Sequence, residues 1–380
     1  MIDENRGLRP DEIAAKKLRR LLETRGYRRV VVGRFEEYAL YTENKNFLET
    51  ESIITFMNPD GRLLALKPDV TLSVVKNCPE SPLSAAQKLY YVDEVCRLSR
   101  ETREYKILGQ FGVELMGPND AFSGMEIVDL ALQSLALLGD EYVLDLSHLG
   151  FVSAMLKHLQ LDGAARSGAL RALQAKSPHN MAVALQQTAI SPQDRERLLL
   201  LCKLHGSMRD MLPKARQLVL CESMGEALDE LESLCAALGD EMVEKHLNLD
   251  FSVVNDVDYY NGLIFRGYLQ GIPTVLLSGG RYDNLMGKMG KQSGALGFAV
   301  YITELNNYPL KLSEPDYAFD LLVTYREEDD YAALLRICRE LAEQGKTVRL
   351  EREGACLRQA GSWRKRCQMA GSTLEEVAEC

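Results

Sequence analysis

The sequence predicts an α+β fold: an antiparallel sheet flanked by helices, interrupted by a helical insertion and followed by a short C-terminal β-α-β unit. Three observations carry this. Two long strand-like runs, the Tyr- and Val-rich residues 88–98 and the alternating residues 104–116, are separated by only Ser99-Arg100-Glu101-Thr102-Arg103, the pattern of a charged hairpin. From about residue 150 to 240 nearly every segment has the Ala, Leu and charged composition of helices, with Pro192 and Pro213 as punctuation. After Pro309 and Pro315, residues 319–324, 331–344 and 347–350 read as strand, helix and strand.

The elements follow in order. Arg9-Pro10-Asp11 opens a helix whose Ala14, Leu18, Leu21 and Leu22 form one apolar stripe, stopped near Gly26. Val30-Val31-Val32 reads as a short buried strand. Residues 53–57 and 62–66 flank the turn Asn58-Pro59-Asp60-Gly61, a hairpin. Pro68-Asp69 starts another helix, with Asp69 as cap or site residue. On 104–116, Phe111, Val113 and Leu115 share one face; Leu108, Gln110, Gly112, Glu114 and Met116 share the other. Residues 124–138 read as helix and 142–146 as strand. Strands return at 247–254, 259–269 and 274–277. Gly279-Gly280-Arg281-Tyr282-Asp283 reads as a tight turn into a helix, and 295–302 as a last strand of the main domain. The remaining tail is expected to be partly helical, with Arg364, Lys365 and Arg366 on a solvated helix face.

Composition bounds the function. The chain has 380 residues, 46% of them hydrophobic, and a formal charge of −10, enough for two or three soluble domains. The acidic balance argues against a surface devoted to phosphate backbones. No apolar run approaches the ~18 residues of a membrane span, and the charged first residues do not read as a secretory signal. Nine cysteines lie scattered without a C-x-x-C pair, as expected in a reducing cytoplasm and not in a disulfide framework or zinc site. His148, His158, His179, His205 and His246 have no metal-ligand spacing. No metal or cofactor is expected.

Candidate site residues gather around the second long strand. Gln110 and Glu114 point the same way with Gly112 between them, which suits either a small polar ligand lying in the space above the glycine or a solvated strand face. Arg97 suits a carboxylate or phosphate. Asp69 and Thr71 offer an acceptor and a hydroxyl, and Tyr259 and Tyr260 offer aromatic walls. Together these groups suit a zwitterion. The Gly279-Gly280 turn lacks both nucleotide-loop spacings and is read as structural.

In order along the chain, Leu66-Lys67-Pro68-Asp69-Val70-Thr71, Gln110-Phe111-Gly112-Val113-Glu114, Asp258-Tyr259-Tyr260-Asn261-Gly262-Leu263-Ile264-Phe265, Gly279-Gly280-Arg281-Tyr282-Asp283-Asn284-Leu285 and Ala295-Leu296-Gly297-Phe298-Ala299 resemble the motifs of histidyl-tRNA synthetase, a class II aminoacyl-tRNA synthetase. The resemblance covers the first ~320 residues. It implies a class II synthetase-like domain over 1–318, including the helical insertion at about 150–240, and a truncated anticodon-binding-like domain over 319–380. It also implies a histidine pocket with Asp69, Thr71 and Gln110 near the amino group, Arg97 near the carboxylate, and Glu114 with Tyr260 near the imidazole.

The departures point away from synthetase chemistry. Asn255 and Glu304 stand where the family has arginines that serve the substrate carboxylate and ATP. Arg97 persists in its motif but the following acid is lost; Gly33 stands for a proline, Lys67 for an arginine, and Asp69 for a longer glutamate. Losing one preorganised cation commonly costs ~10²–10³ in rate, so two should leave negligible adenylate formation. The pattern is similar to the synthetase paralogues that serve as regulatory subunits of ATP phosphoribosyltransferase, at the first step of histidine biosynthesis. That resemblance implies a non-catalytic homodimer joined with a short-form catalytic subunit in a hetero-octamer, activation of that subunit, and histidine as feedback effector, with tRNA an unlikely partner. A working synthetase with divergent motifs and a stand-alone amino-acid sensor are the alternatives.

Overall fold

The computed structural model describes residues 8–44, 53–79, 86–99, 102–117, 120–254, 260–308, 319–326, 328–344, 346–353, 363–370 and 372–377. By internal contacts the chain divides into a larger unit, Ala14–Leu310, and a smaller one comprising Lys311–Cys380 with Met1–Ile13. Asn255, Tyr259 and the proline-marked linker lie outside the described residues.

The strands of the larger unit are β1 (Arg28–Arg29), β2 (Phe35–Glu37), β3 (Thr55–Met57), β4 (Leu63–Leu66), β5 (Gln87–Leu98), β6 (Tyr105–Gly117), β7 (Tyr142–His148), β8 (His205–Ser207), β9 (Leu247–Asp250), β10 (Leu263–Leu269), β11 (Leu277–Arg281) and β12 (Gly294–Val300). Nine of them form one sheet in the order β1-β5-β6-β12-β11-β10-β7-β9-β8. Its centre is antiparallel, while β1–β5 and β7–β9 pair in parallel. β2, β4 and β3 make a separate three-stranded sheet that contains the expected hairpin.

Both faces of the large sheet are buried. Phe111, Val113 and Leu115 pack with Ile127, Leu130, Ala131 and Leu135 of the helix Ala121–Ala136, in a core that also takes Ala14, Leu18 and Leu22. On the other face Tyr91, Val95 and Met116 pack with Val70, Val74 and Val75 of the helix Val70–Asn77 and with Leu285 and Met286. The two-residue alternation of β6 thus feeds two cores. The insertion is helical, with the helices Leu149–His158, Gly163–Gln174, Pro192–Leu201 and Glu222–Leu238 among its elements and only the short β8 interrupting. No helix among the described residues is long and apolar enough to cross a membrane.

In the smaller unit β13 (Phe319–Tyr325), β14 (Val348–Arg352), β15 (Trp363–Ala370) and β16 (Thr373–Glu376) form a sheet in the order β14-β13-β15-β16. β13 and β14 run parallel, with the helix Tyr331–Glu343 between them in sequence.

Three expectations need correction. Val30-Val31-Val32 is not a strand. Arg28 and Arg29 make the pairing with β5, and Val31 is exposed. The described residues of the tail are strand and not helix: Cys367 and Met369 alternate into the small core, and Arg364–Arg366 lie on β15. Gly279-Gly280-Arg281 is no turn but part of β11, with both glycines paired on either side, while residues 274–276 precede the strand.

Candidate functional site

The site begins at Asp69. Its backbone is extended where the chain leaves β4, and its carboxylate accepts from Leu72 N–H at 2.9 Å, capping the helix Val70–Asn77. The cap aims the first helical turn at β6, so that the Thr71 hydroxyl donates to Glu114 at 2.8 Å. Arg97, on β5, donates through Nε to the Pro68 carbonyl at 2.9 Å and lies 3.7 Å from Asp69. Lys67 is buried, with Nζ on Asp93 at 2.6 Å and on the Gly33 carbonyl at 3.1 Å. The loop carrying Gly33, the loop carrying Asp69 and strand β5 are thereby held together.

Cross-strand register supplies the rest. Directly paired residues of antiparallel strands share a face. One row runs Leu89, Glu114, Gly297, Gly280, Ile264, Ser147; its neighbour pairs Tyr91 with Gly112, and Asp93 pairs with Gln110. Glu114 and Gln110 are buried on the floor, and the Tyr282 hydroxyl donates to Glu114. Asp69, Thr71, Arg97, Tyr260 and Tyr301 form a mostly buried rim. A Cβ at Gly297 would overlap the Glu114 carboxylate, and one at Gly280 would stand 2.8 Å from the Tyr260 ring. Gly297 and Gly280 thus make room for Glu114 and Tyr260.

The space over Gly112 is filled. A Cβ there would fall inside the Tyr91 ring, so the glycine accommodates a tyrosine of the neighbouring strand and not a ligand directly above it. Tyr91, Tyr282 and Asp93 join the candidate residues without having been singled out in the sequence, and Lys67 stood there only as the replacement of an arginine. Tyr282 stood within a quoted motif, but nothing local said that it faces Glu114. Asn261 and Asp283 clamp the Tyr260 segment to β11's end: Asn261 Nδ2 donates to Asp283 at 3.2 Å and Asn261 Oδ1 accepts from Asp283 N–H at 3.0 Å. Arg281, one residue before Tyr282, leaves on the opposite face, where Glu230 bridges it (3.1 Å) to His148 (3.0 Å).

The electrostatics favour a cation. Burial pushes the Glu114 carboxyl up to about 8, although the Tyr282 and Thr71 hydroxyls pull it back. Burial likewise raises Asp69, against the pull of Arg97. A positively charged group set between them would restore both as carboxylates. Glu304 sits half-buried on the turn Ile302–Asn307, whose Thr303 hydroxyl accepts from Gly109 N–H at 2.5 Å. No cluster that could hold a metal occurs among the described residues.

A central antiparallel sheet with a buried glutamate, a helix-capping aspartate and tyrosines on one face defines a class II synthetase-like module. The family model for histidyl-tRNA synthetase matches residues 8–305. The chain belongs to the regulatory-subunit branch of that family, that of ATP phosphoribosyltransferase. It is 30% identical over 385 residues to the ATP phosphoribosyltransferase regulatory subunit of Moorella thermoacetica, covering 98% of this chain and 96% of that protein. Among solved structures it is similar to an ATP phosphoribosyltransferase regulatory subunit/histidyl-tRNA synthetase from Bacillus halodurans, with a TM-score of 0.78 at 22% identity, covering 96% of this chain and 95% of that one. It is also similar to a chain of the ATP phosphoribosyl transferase (HisG:HisZ) complex from Thermotoga maritima, with a TM-score of 0.60 at 17% identity over 77% of this chain and 97% of that one.

Proposed function

We propose that this chain assembles with a short-form ATP phosphoribosyltransferase catalytic subunit, activates it, and carries feedback inhibition by histidine through the pocket of Asp69, Thr71, Arg97, Gln110, Glu114 and Tyr260. The observation that supports this best is the buried Glu114, held by Thr71 and Tyr282 with Asp69 nearby. It is an expensive arrangement to keep without a cationic ligand. Asn255 and Glu304, at positions where adenylation needs cations, argue against synthetase chemistry. A homodimer within a hetero-octamer is the expected assembly. The acidic balance makes tRNA a poor partner, and the free cysteines fit the cytoplasm.

The test mixes this chain with the catalytic subunit of the same organism. Light scattering should show a larger species, and phosphoribosyl-ATP formation should rise and then fall on adding histidine. Two unchanged species with unchanged catalysis would refute the assembly. A complex whose inhibition survives Glu114→Gln intact would refute the pocket.

A further inference from the structure

The histidine pocket just proposed, on which this inference rests, is crossed at one end by a side-chain bridge. β12 ends at Val300, which pairs with Phe111 of β6. Val300 and Ile302 enter the core on the opposite face of the sheet, which leaves Tyr301 on the pocket face. Arg97 shares that face with Tyr91 on β5. The Tyr301 hydroxyl accepts from the Arg97 guanidinium. Arg97 is also held by the Pro68 carbonyl at 2.9 Å and lies 3.7 Å from Asp69. Because β6 lies between β12 and β5, the two side chains span two strand spacings, about 10 Å. Tyr301 is one residue past the Val300–Phe111 pair and Arg97 pairs with Lys106, so the bridge crosses β6 near Leu108. On the pocket side of it the strand rises about 13 Å from Gln110 to Glu114. The bridge is firmly mounted. Tyr301 N–H donates to the Leu276 carbonyl at 2.8 Å, and the Tyr301 carbonyl accepts from Glu304 N–H at 3.1 Å. Ile302 and Leu305 are buried beside it, and Thr303 fastens the turn to Gly109. Tyr301 is thus built as a wall and not as a lid.

We propose that Tyr301 is a specificity-determining residue: with Arg97 it closes the pocket at the length of one free amino acid, so that a ligand extended through its carboxyl group is rejected. Arg97 suits a carboxylate at this end, and a group bonded beyond that carboxylate meets the Tyr301 ring. Selectivity of this kind comes from a built clash and not from a further attraction. It separates a free amino acid from the same amino acid in a peptide or another acyl compound, as a sensor of the free amino acid requires.

Titration calorimetry of the full-length chain, alone and with its catalytic subunit, tests this with histidine and histidylglycine. Wild type should bind histidine about a hundredfold more tightly than the dipeptide, the scale of forcing extra atoms into a close-packed wall. Tyr301→Ala should narrow that ratio to within about tenfold, whereas Tyr301→Phe, which keeps the ring, should preserve it. Tyr301→Leu, which stops short of Arg97, carries the same comparison if the alanine variant does not fold. Adding Glu114→Gln to the opened variant should weaken both ligands, placing them in this pocket. A wild-type preference below about tenfold, an unchanged ratio in the opened variants, or dipeptide binding indifferent to Glu114→Gln overturns the inference while leaving the histidine pocket standing. Failure of wild type to bind histidine, alone and in the complex, overturns the pocket itself and this inference with it.

Discussion

Glu114→Gln separates the electrostatic cost of the pocket from its packing. The folded protein holds the Glu114 proton up to about pH 8, whereas an ordinary glutamate releases it near 4.5. Between these values the unfolded chain has lost a proton that the folded chain retains, so this group makes stability fall as pH rises through the window. Below about 4.5 the contribution is fully present; above about 8 both states are ionised and the loss is complete. The gap corresponds to roughly 4–5 kcal/mol, a large share of a typical folding free energy. Glutamine copies the protonated acid: one oxygen accepts, and the amide donates where the carboxylic O–H would. Wild type and variant should therefore match within about 1 kcal/mol at pH 5, and the variant should be more stable by several kcal/mol at pH 8.5. Denaturant unfolding across pH 5–9 gives the difference curve, in which other titrations cancel. A difference that stays flat across that range would refute the buried, proton-retaining Glu114. Ligand cations should reverse the penalty, so histidine binding at pH 7 should release protons, visible as a buffer-dependent binding enthalpy.

Three further outcomes are expected. Gly112→Ala drives a methyl into the Tyr91 ring; it should destabilise by about 2–3 kcal/mol, and pairing it with Tyr91→Leu should recover part of the loss, which no recovery in the double variant would contradict. Asp69→Ala removes the cap on the helix Val70–Asn77, lowering stability by about 1 kcal/mol and abolishing the rise in melting temperature with millimolar histidine; an unchanged rise would show that Asp69 is not in the ligand site. The pure chain should not catalyse histidine-dependent exchange of pyrophosphate into ATP, and exchange above a Glu114→Ala control would restore synthetase chemistry.

Much of this arrangement was legible residue by residue. Asp69 after a proline and before an apolar helix announces a cap, Asn58-Pro59-Asp60-Gly61 announces a hairpin turn, and the alternation of β6 separates Phe111, Val113 and Leu115 from Gln110, Gly112 and Glu114 with no tertiary information. These features depend on neighbours within a few positions, where backbone geometry and side-chain period decide the outcome. The tail misled because Arg364, Lys365 and Arg366 have no marked strand preference, and only the burial of Cys367 and Met369 beside β13 makes that segment a strand. The same holds for Gly279 and Gly280, whose turn propensity yields to pairing with β10 and β12. Register across the sheet was not legible at all. Glu114, Gly297 and Gly280 lie in one row although Glu114 is far from both glycines along the chain, so nothing local could say that a glycine makes way for Glu114, that Tyr282 reaches it, or that Tyr91 covers Gly112. The order and type of most elements, and the list of candidate site residues, were set by sequence alone; which of those residues touch was decided by strand pairing, because a one-residue slip would turn every side chain of a strand to the other face.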